Sequence, residues 1–225
     1  MLHPLDRPIR AALTTRHRNL AEGGPRALRY LPDISCFAAA VDDSDESLEQ
    51  LGSLIEPGGS MIVVGAGGHP VPPGTVADRV AAAVQMVAAS VTAPAREFAF
   101  LELGDDDAAD MLELATLTRP GPFAMRTHRF GGYIGIRHES RLVAMAGQRM
   151  QAPGFTEVSA VCTHPDHRGQ GYGSFLLQVV AARIRERGES AFLHAYASNV
   201  NAIRLYEALG FRRRADMTVV VLRRA

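Results

Sequence analysis

The sequence predicts an α/β protein built on one mixed sheet, with a smaller α/β subdomain ahead of it. Three observations carry this. From residue 98 the hydrophobic pattern reads β-α-β-β-β-α-β-α-β, with an undefined stretch after the first helix. Helices alternate with strands only in the later part of that run, which predicts one strand–helix–strand unit and not a fully doubly wound sheet. Before residue 97 the elements are shorter and broken by Gly and Pro, so the chain divides into an N-terminal α/β subdomain over 1–96 and a main domain over 97–225.

Bulk properties narrow the function. A chain of 225 residues suits one large domain or two small ones and can bury a core. Lys plus Arg and Asp plus Glu each total 24, so there is no global positive field for a nucleic acid or an anionic membrane. Cys36 and Cys162 lie far apart and form no CxxC pair, which suggests neither a disulfide framework nor a cysteine zinc site. The apolar runs are short, so none is expected to span a bilayer. No apolar stretch follows Met1, and a cytoplasmic location is the expectation.

Taken in order, Arg7–Leu20 reads as a short helix stopped by Glu22-Gly23-Gly24-Pro25. Phe37–Val41 reads as a strand, and Ser44–Ile55 spaces Leu48, Leu51, Leu54 and Ile55 as a helix does. Met61–Val64 is a β-branched run closing in Gly65-Ala66-Gly67-Gly68, a strand into a turn. Proline makes His69–Gly74 a loop, and Val84–Thr92 is a further strand. Phe98–Leu103 is a strand; Asp105, Asp106 and Asp107 then cap a helix reaching about Leu117, where their charge suits the positive dipole end. Tyr133–Arg137 and Leu142–Met150 form a hairpin, and Glu157–Thr163 is another strand. Gly171–Arg187 is a helix, with Phe175, Leu176, Val179, Val180 and Ile184 near one stripe. Ala191–Ala197, Asn201–Leu209 and Met217–Leu222 read as strand, helix and strand.

The stretch with chemical content is Thr163-His164-Pro165-Asp166-His167-Arg168-Gly169-Gln170-Gly171-Tyr172-Gly173-Ser174, between a strand and a helix. Three alternate glycines allow positive φ and keep side chains away from a ligand. The helix start adds unpaired N–H groups and a positive dipole end, a site for phosphate or diphosphate, and Arg168 adds a fixed charge. Alone, this pattern is equally a tight strand-to-helix turn. No Lys-Ser or Lys-Thr follows, so a Walker loop is excluded.

The second block is Asn199-Val200-Asn201-Ala202-Ile203-Arg204-Leu205-Tyr206-Glu207-Ala208-Leu209-Gly210-Phe211. Here the chain resembles the GNAT (GCN5-related N-acetyltransferase) superfamily, and within it the FR47-like group. Arg168, Gly171 and Gly173 match that family's Arg/Gln-x-x-Gly-x-Gly/Ala signature. Asn199, Ala202, Leu205, Tyr206, Gly210 and Phe211 match its second, Asn-x-x-Ala-x-x-Leu-Tyr-x-x-x-Gly-Phe. The resemblance covers roughly residues 97–225. It implies the acyl-CoA N-acyltransferase fold, a mostly antiparallel central sheet flanked by helices and opened at its centre, with residues 1–96 as a possible degenerate acetyltransferase half.

The resemblance also implies site roles. Acetyl-CoA is the expected cosubstrate, its diphosphate on the backbone of Arg168, Gly169, Gln170, Gly171, Tyr172, Gly173 and Ser174. The pantetheine arm is expected to pair with Val161, Cys162 and Thr163 like an added strand, and Asn199 to contact that arm. Tyr206 is the expected general acid, since a phenol of pKa about 10 can protonate a thiolate. Glu157 is the candidate base, at the strand position where histone-type members carry one, although an exposed strand-end carboxylate explains it as well. An oxyanion donor is expected from a strand N–H near Val161. The acceptor is a small amine or a peptide or protein amine, with no nucleic acid or membrane partner and a monomeric or homodimeric state.

Residues 119–132 are expected to wall the acceptor side, where Arg119, Arg126, His128 and Arg129 suggest an anionic group on the acceptor. His164, Asp166 and His167 are too bound up with the loop to be read as metal ligands, and no metal is expected. Asp105–Asp107 lacks the spacing of a calcium loop. Cys162 reads as a small core residue, not a nucleophile. Two further readings stay open: a catalytically silent acyl-CoA-binding sensor or interaction module, and a different phosphate-ligand protein such as a nucleotide binder.

Overall fold

A computed structural model describes residues 3–225. It is a mixed α/β structure whose main sheet has eight strands. The first three strands, β1 (Ala21–Gly23), β2 (Ala27–Tyr30) and β3 (Ala38–Ala40), form a separate antiparallel sheet. They follow helix α1 (Pro8–Leu13) and precede α2 (Asp45–Ser53). The expected Arg7–Leu20 helix is therefore shorter, with a 3₁₀ turn at Arg18–Leu20 continuing the path.

The main sheet crosses the residue-96 boundary. Strands β4 (Ser60–Ala66) and β5 (Thr75–Ala88) come from the N-terminal part. From the rest come β6 (Leu101–Glu102), β7 (Ile134–His138), β8 (Arg141–Ala152), β9 (Phe155–Thr163), β10 (Ser190–Tyr196) and β11 (Phe211–Arg224). The spatial order is β4-β11-β5-β10-β9-β8-β7-β6. Thus β5 lies between β10 and β11, antiparallel to both, and the two parts of the chain share one ladder. Every neighbouring pair is antiparallel except β9–β10.

The β7–β8 turn places Glu139 and Ser140 at positive φ (48° and 70°), the twist a two-residue hairpin needs. The strand expected over Phe98–Leu103 shrinks to β6, because Phe98 and Phe100 lie against Phe175 of helix α4 (Tyr172–Glu186) instead of entering the ladder. In the other direction, β5 begins nine residues before the expected Val84, over an Ala-rich stretch of weak β propensity that its β11 partner holds in place.

Helix α4 and α5 (Val200–Ala208) pack on one face of the sheet with Val158, Phe192's neighbours Ala191 and Leu193, and Phe211. Helix α1 and α3 (Ala108–Thr118) cover the other face, around Tyr30, Met111, Tyr133 and Met145. On that second face His17 stacks on Phe130 at 5.3 Å and meets the Tyr30 hydroxyl through Nδ1 at 3.0 Å. Burial, with a smaller contribution from Arg16, pushes its pKa down to about 4. The unfolded chain binds that proton near the ordinary value of about 6.5. Between those values the unfolded state holds more protons, so stability is full above pH ~6.5 and falls as the pH drops toward 4. Urea titrations should record a loss of up to about 3 kcal/mol over that window, and His17→Phe should remove most of the slope. Among the described residues no helix is long and apolar enough to cross a membrane.

Candidate active site

The ladder between β9 and β10 is short. Ser190, Ala191 and Phe192 pair with Phe155, Thr156 and Glu157, and there the pairing stops. Beyond it Val158–Thr163 and Leu193–Tyr196 face a gap, each strand held only on its far side, by β8 and β5. Sheets rarely leave such N–H and C=O groups idle. Inside the gap Ala160 has φ 53° at a register shift against β8, a bulge that turns the neighbouring peptide units out of the ladder.

A cavity of ≈ 380 Å³ occupies the gap. Val161, Cys162, Thr163, Arg168, Asn199, Ala202 and Tyr206 line one part of it. Phe37, Ile62, Val64, Val219, Arg149, His194 and the turn Thr118–Pro122 line the rest. Of the expected cofactor residues, Val161, Cys162, Thr163, Arg168, Asn199 and Tyr206 meet here while Gly169–Ser174 lie outside the lining, and the N-terminal part with β11 supplies the apolar portion of the other side.

Beyond Thr163 a 3₁₀ turn, Pro165–His167, leads to the glycine loop. Gly169 and Gly171 take φ 77° and 90°, the left-handed region that favours glycine. Gly173 differs from the expectation of three turning glycines. It lies within α4, and a Cβ there would meet Thr163 Oγ1 at 3.4 Å and Val161 Cγ1 at 3.7 Å, which is ordinary contact. From Gly169 to Ser174 the backbone N–H groups find no acceptor within the protein, among the described residues. Arg168 departs from the expectation in one respect: its N–H closes the 3₁₀ turn on Pro165 O at 3.3 Å, leaving only its side chain for a ligand. This row of free donors at the start of a 15-residue helix fits a diphosphate.

Asn199 caps α5, its side-chain oxygen accepting from the Ala202 N–H at 3.2 Å, which leaves the amide NH₂ for the cavity it lines. About two turns on, Tyr206 is partly buried, and burial raises its pKa above the ordinary tyrosine value. It therefore carries its proton throughout the neutral range. Cys162 is buried and its pKa is pushed up to about 11 by burial, so it is a poor nucleophile.

Glu157 is the largest departure. Neither the candidate base nor the alternative of an exposed strand-end carboxylate matches its surroundings: the residue is 0% exposed and does not line the cavity. Arg149 donates to both of its oxygens, Nε at 2.8 Å and Nη2 at 2.6 Å, and His194 Nδ1 lies 2.7 Å from Oε1. Burial by itself would raise this carboxyl, but the Arg149 charge and hydrogen bonds, then His194, hold it well below the usual carboxylate range. The network continues through Gln85, whose amide nitrogen lies 3.0 Å from His194 Nε2 and donates to Leu5 O at 2.9 Å. Gln85 Oε1 accepts from Arg214 at 2.7 Å, so the amide orientation is determined. With an N–H directed at Nε2, the imidazole proton sits on Nδ1, facing Glu157.

Sequence reasoning missed Arg149 and His194. A charge inside the apolar run Leu142–Met150 was a usable signal, because the hairpin through Gly154 brings that strand alongside Glu157. Of the basic residues expected on the acceptor wall, Arg126 pairs with Asp33 and both His128 and Arg129 with Asp105. Arg119 lines the cavity and has no carboxylate partner among the described residues.

Comparison with known proteins agrees with this architecture. A family described as FR47-like protein matches residues 133–221. A solved structure from Novosphingobium aromaticivorans, a protein of the GNAT family, is 40% identical, with 100% of both chains covered and a TM-score of 0.91. A GCN5-related N-acetyltransferase from Kribbella flavida shares the fold at 18% identity, with a TM-score of 0.63 over 94% of this chain and 92% of that one. A Drosophila protein does so at 17% identity and a TM-score of 0.65, over 86% and 73%. No curated protein matches the chain.

Proposed function

The chain belongs to the GNAT acetyltransferases, and from that premise we propose that it moves the acetyl group of acetyl-CoA to a primary amine by direct attack, with Tyr206 as general acid. The observation that carries this reading is one cavity lined by the unpaired strand edge Val161–Thr163, by a protonated tyrosine and by Arg168, which leads directly into the loop whose N–H groups are free. The N–H groups of Gly169–Ser174, with the Arg168 side chain, would hold the diphosphate. The idle edge of Val161, Cys162 and Thr163 would take the amides of the pantetheine arm, with Asn199 beside it.

Bound acetyl-CoA supplies the thioester carbonyl that the amine attacks. The bulge at Ala160 frees a strand N–H near Val161 to stabilise charge on that carbonyl oxygen. As the carbon–sulfur bond breaks, the Tyr206 hydroxyl gives its proton to the departing sulfur. The amine proton leaves to water through the open side of the cavity. Glu157 serves by locking Arg149 and His194 in place, since both of its oxygens are already engaged. Residues 1–96 complete the acceptor side through Phe37, Ile62 and Val64. The two free cysteines suit a reducing cytoplasm.

The test is calorimetric binding of acetyl-CoA beside an amine-panel assay that reports free thiol. Wild-type protein should bind and release thiol with some amine. Gly171→Ala puts a Cβ at φ 90°, which costs roughly 1–2 kcal/mol in the left-handed region. Its dissociation constant for acetyl-CoA should rise about tenfold, the equivalent of about 1.4 kcal/mol. Binding of ATP or NAD in place of CoA would favour the nucleotide-binder reading, and tight acetyl-CoA binding without turnover would favour a sensor.

A further inference from the structure

Resting on that reading, we propose that the acceptor is a free α-amino acid with an apolar side chain, recognised through its carboxylate. The cavity wall contains three arginines, Arg119, Arg149 and Arg168, and no Asp or Glu. Arg168 sits at the glycine loop, where the diphosphate of the cosubstrate would occupy it. Arg149 and Arg119 are on the other side.

Arg149 is the anchor. Its Nε and Nη2 are spent on Glu157, and the guanidinium lies 4.8 Å from the Phe37 ring centroid. Its Nη1 has no hydrogen-bond partner among the described residues. That nitrogen is directed at the Thr118–Pro122 turn, 3.8 Å from where a Cβ on Gly121 would stand. A bulkier residue at position 121 would crowd it. Arg119 follows α3 at φ 51°, a strained conformation for a side-chain-bearing residue, and reaches the same cavity without a carboxylate partner. Two donors with open positions on one wall match the two oxygens of a carboxylate.

The rest of the wall selects the remainder of the molecule. Phe37, Ile62, Val64 and Val219 form an apolar patch beside Arg149, with Phe37 bridged to Ile62. A polyamine, an aminoglycoside or a lysine-rich tail brings positive charges that would meet arginine here and no carboxylate. The positive surroundings also favour the neutral form of an amine, the form with a lone pair to attack. One feature of the site therefore serves both recognition and nucleophile activation. The transfer is balanced: the amine nitrogen bonds to the acetyl carbon, the carbon–sulfur bond breaks, sulfur takes the Tyr206 proton, and the amine proton goes to water.

The experiment compares leucine and phenylalanine with their amides, with spermidine and with Nα-blocked lysine, by thiol release and product mass, alongside acetyl-CoA calorimetry. The free amino acids should be acetylated with kcat/KM at least about tenfold above their amides. Arg119→Gln should raise KM for the acids about tenfold, leave the amides unchanged, and leave acetyl-CoA binding intact. The proposal is overturned if spermidine or blocked lysine is preferred, if acids and amides are equal, or if no amino acid turns over while acetyl-CoA binds. Failure to bind acetyl-CoA at all would instead bring down the enzyme reading beneath it.

Discussion

Glu157→Gln is expected to destabilise the protein by about 3–5 kcal/mol, the loss seen when one partner of a buried ion pair is removed. The carboxylate is 0% exposed and Arg149 is 13% exposed, so the guanidinium left behind cannot regain full hydration. The cost comes from that orphaned charge more than from the worth of the pair. It follows that a double variant, Glu157→Leu with Arg149→Met, should recover most of the loss, since apolar replacement of a whole buried pair is often neutral or stabilising. Urea denaturation of the three variants measures this directly. The pH dependence has a defined sign. The folded-state pKa lies below the unfolded value of 4.5, so the pair's contribution is present above pH ~4.5 and is lost as the pH falls through the folded value. The glutamine variant should lack that acid-side slope. The same variant separates two roles. A lock predicts lost stability with the pH profile of kcat preserved in the protein that remains folded; a catalytic base predicts normal stability and a lost acidic limb.

Tyr206→Phe is expected to lower kcat by at least about tenfold while leaving the dissociation constant for acetyl-CoA within about twofold, because general acid catalysis acts on the transition state and not on binding. Phenylalanine keeps the ring that packs near Phe211, 6.3 Å between centroids, so the fold should survive. Burial raises the Tyr206 pKa. The acid is therefore competent below that value and is lost above it, which places any alkaline limb of kcat beyond the ordinary tyrosine range. Single-turnover thiol release with calorimetry on the same preparation checks both parts. Unchanged kcat would reduce Tyr206 to a packing ring.

Local signals and long-range contacts account for what was and was not legible. The α4 helix, the β7–β8 hairpin and the helix carrying Asn199 and Tyr206 announce themselves through periodicity, turn residues and caps that lie within a few positions of one another. The glycine loop is equally local, since φ at Gly169 and Gly171 is a property of those residues. The extent of β5 was not legible, because Val76–Ala82 becomes a strand only through pairing with β11, more than a hundred residues later. Phe98 and Phe100 look like a strand by composition, yet aromatic packing on α4 claims them.

By itself the sequence determined the family, the α/β class, the glycine loop and the helix that carries Asn199 and Tyr206, because each depends on residues close together in the chain. Only the tertiary structure decided that β5 enters the ladder between β10 and β11, that Glu157 is enclosed by Arg149 and His194, and that the cavity is lined by three arginines and no carboxylate. The physical reason is that burial and charge pairing are relations between distant segments. A glutamate exposed at a strand end and one sealed beneath an arginine are the same letter until the fold brings their neighbours together.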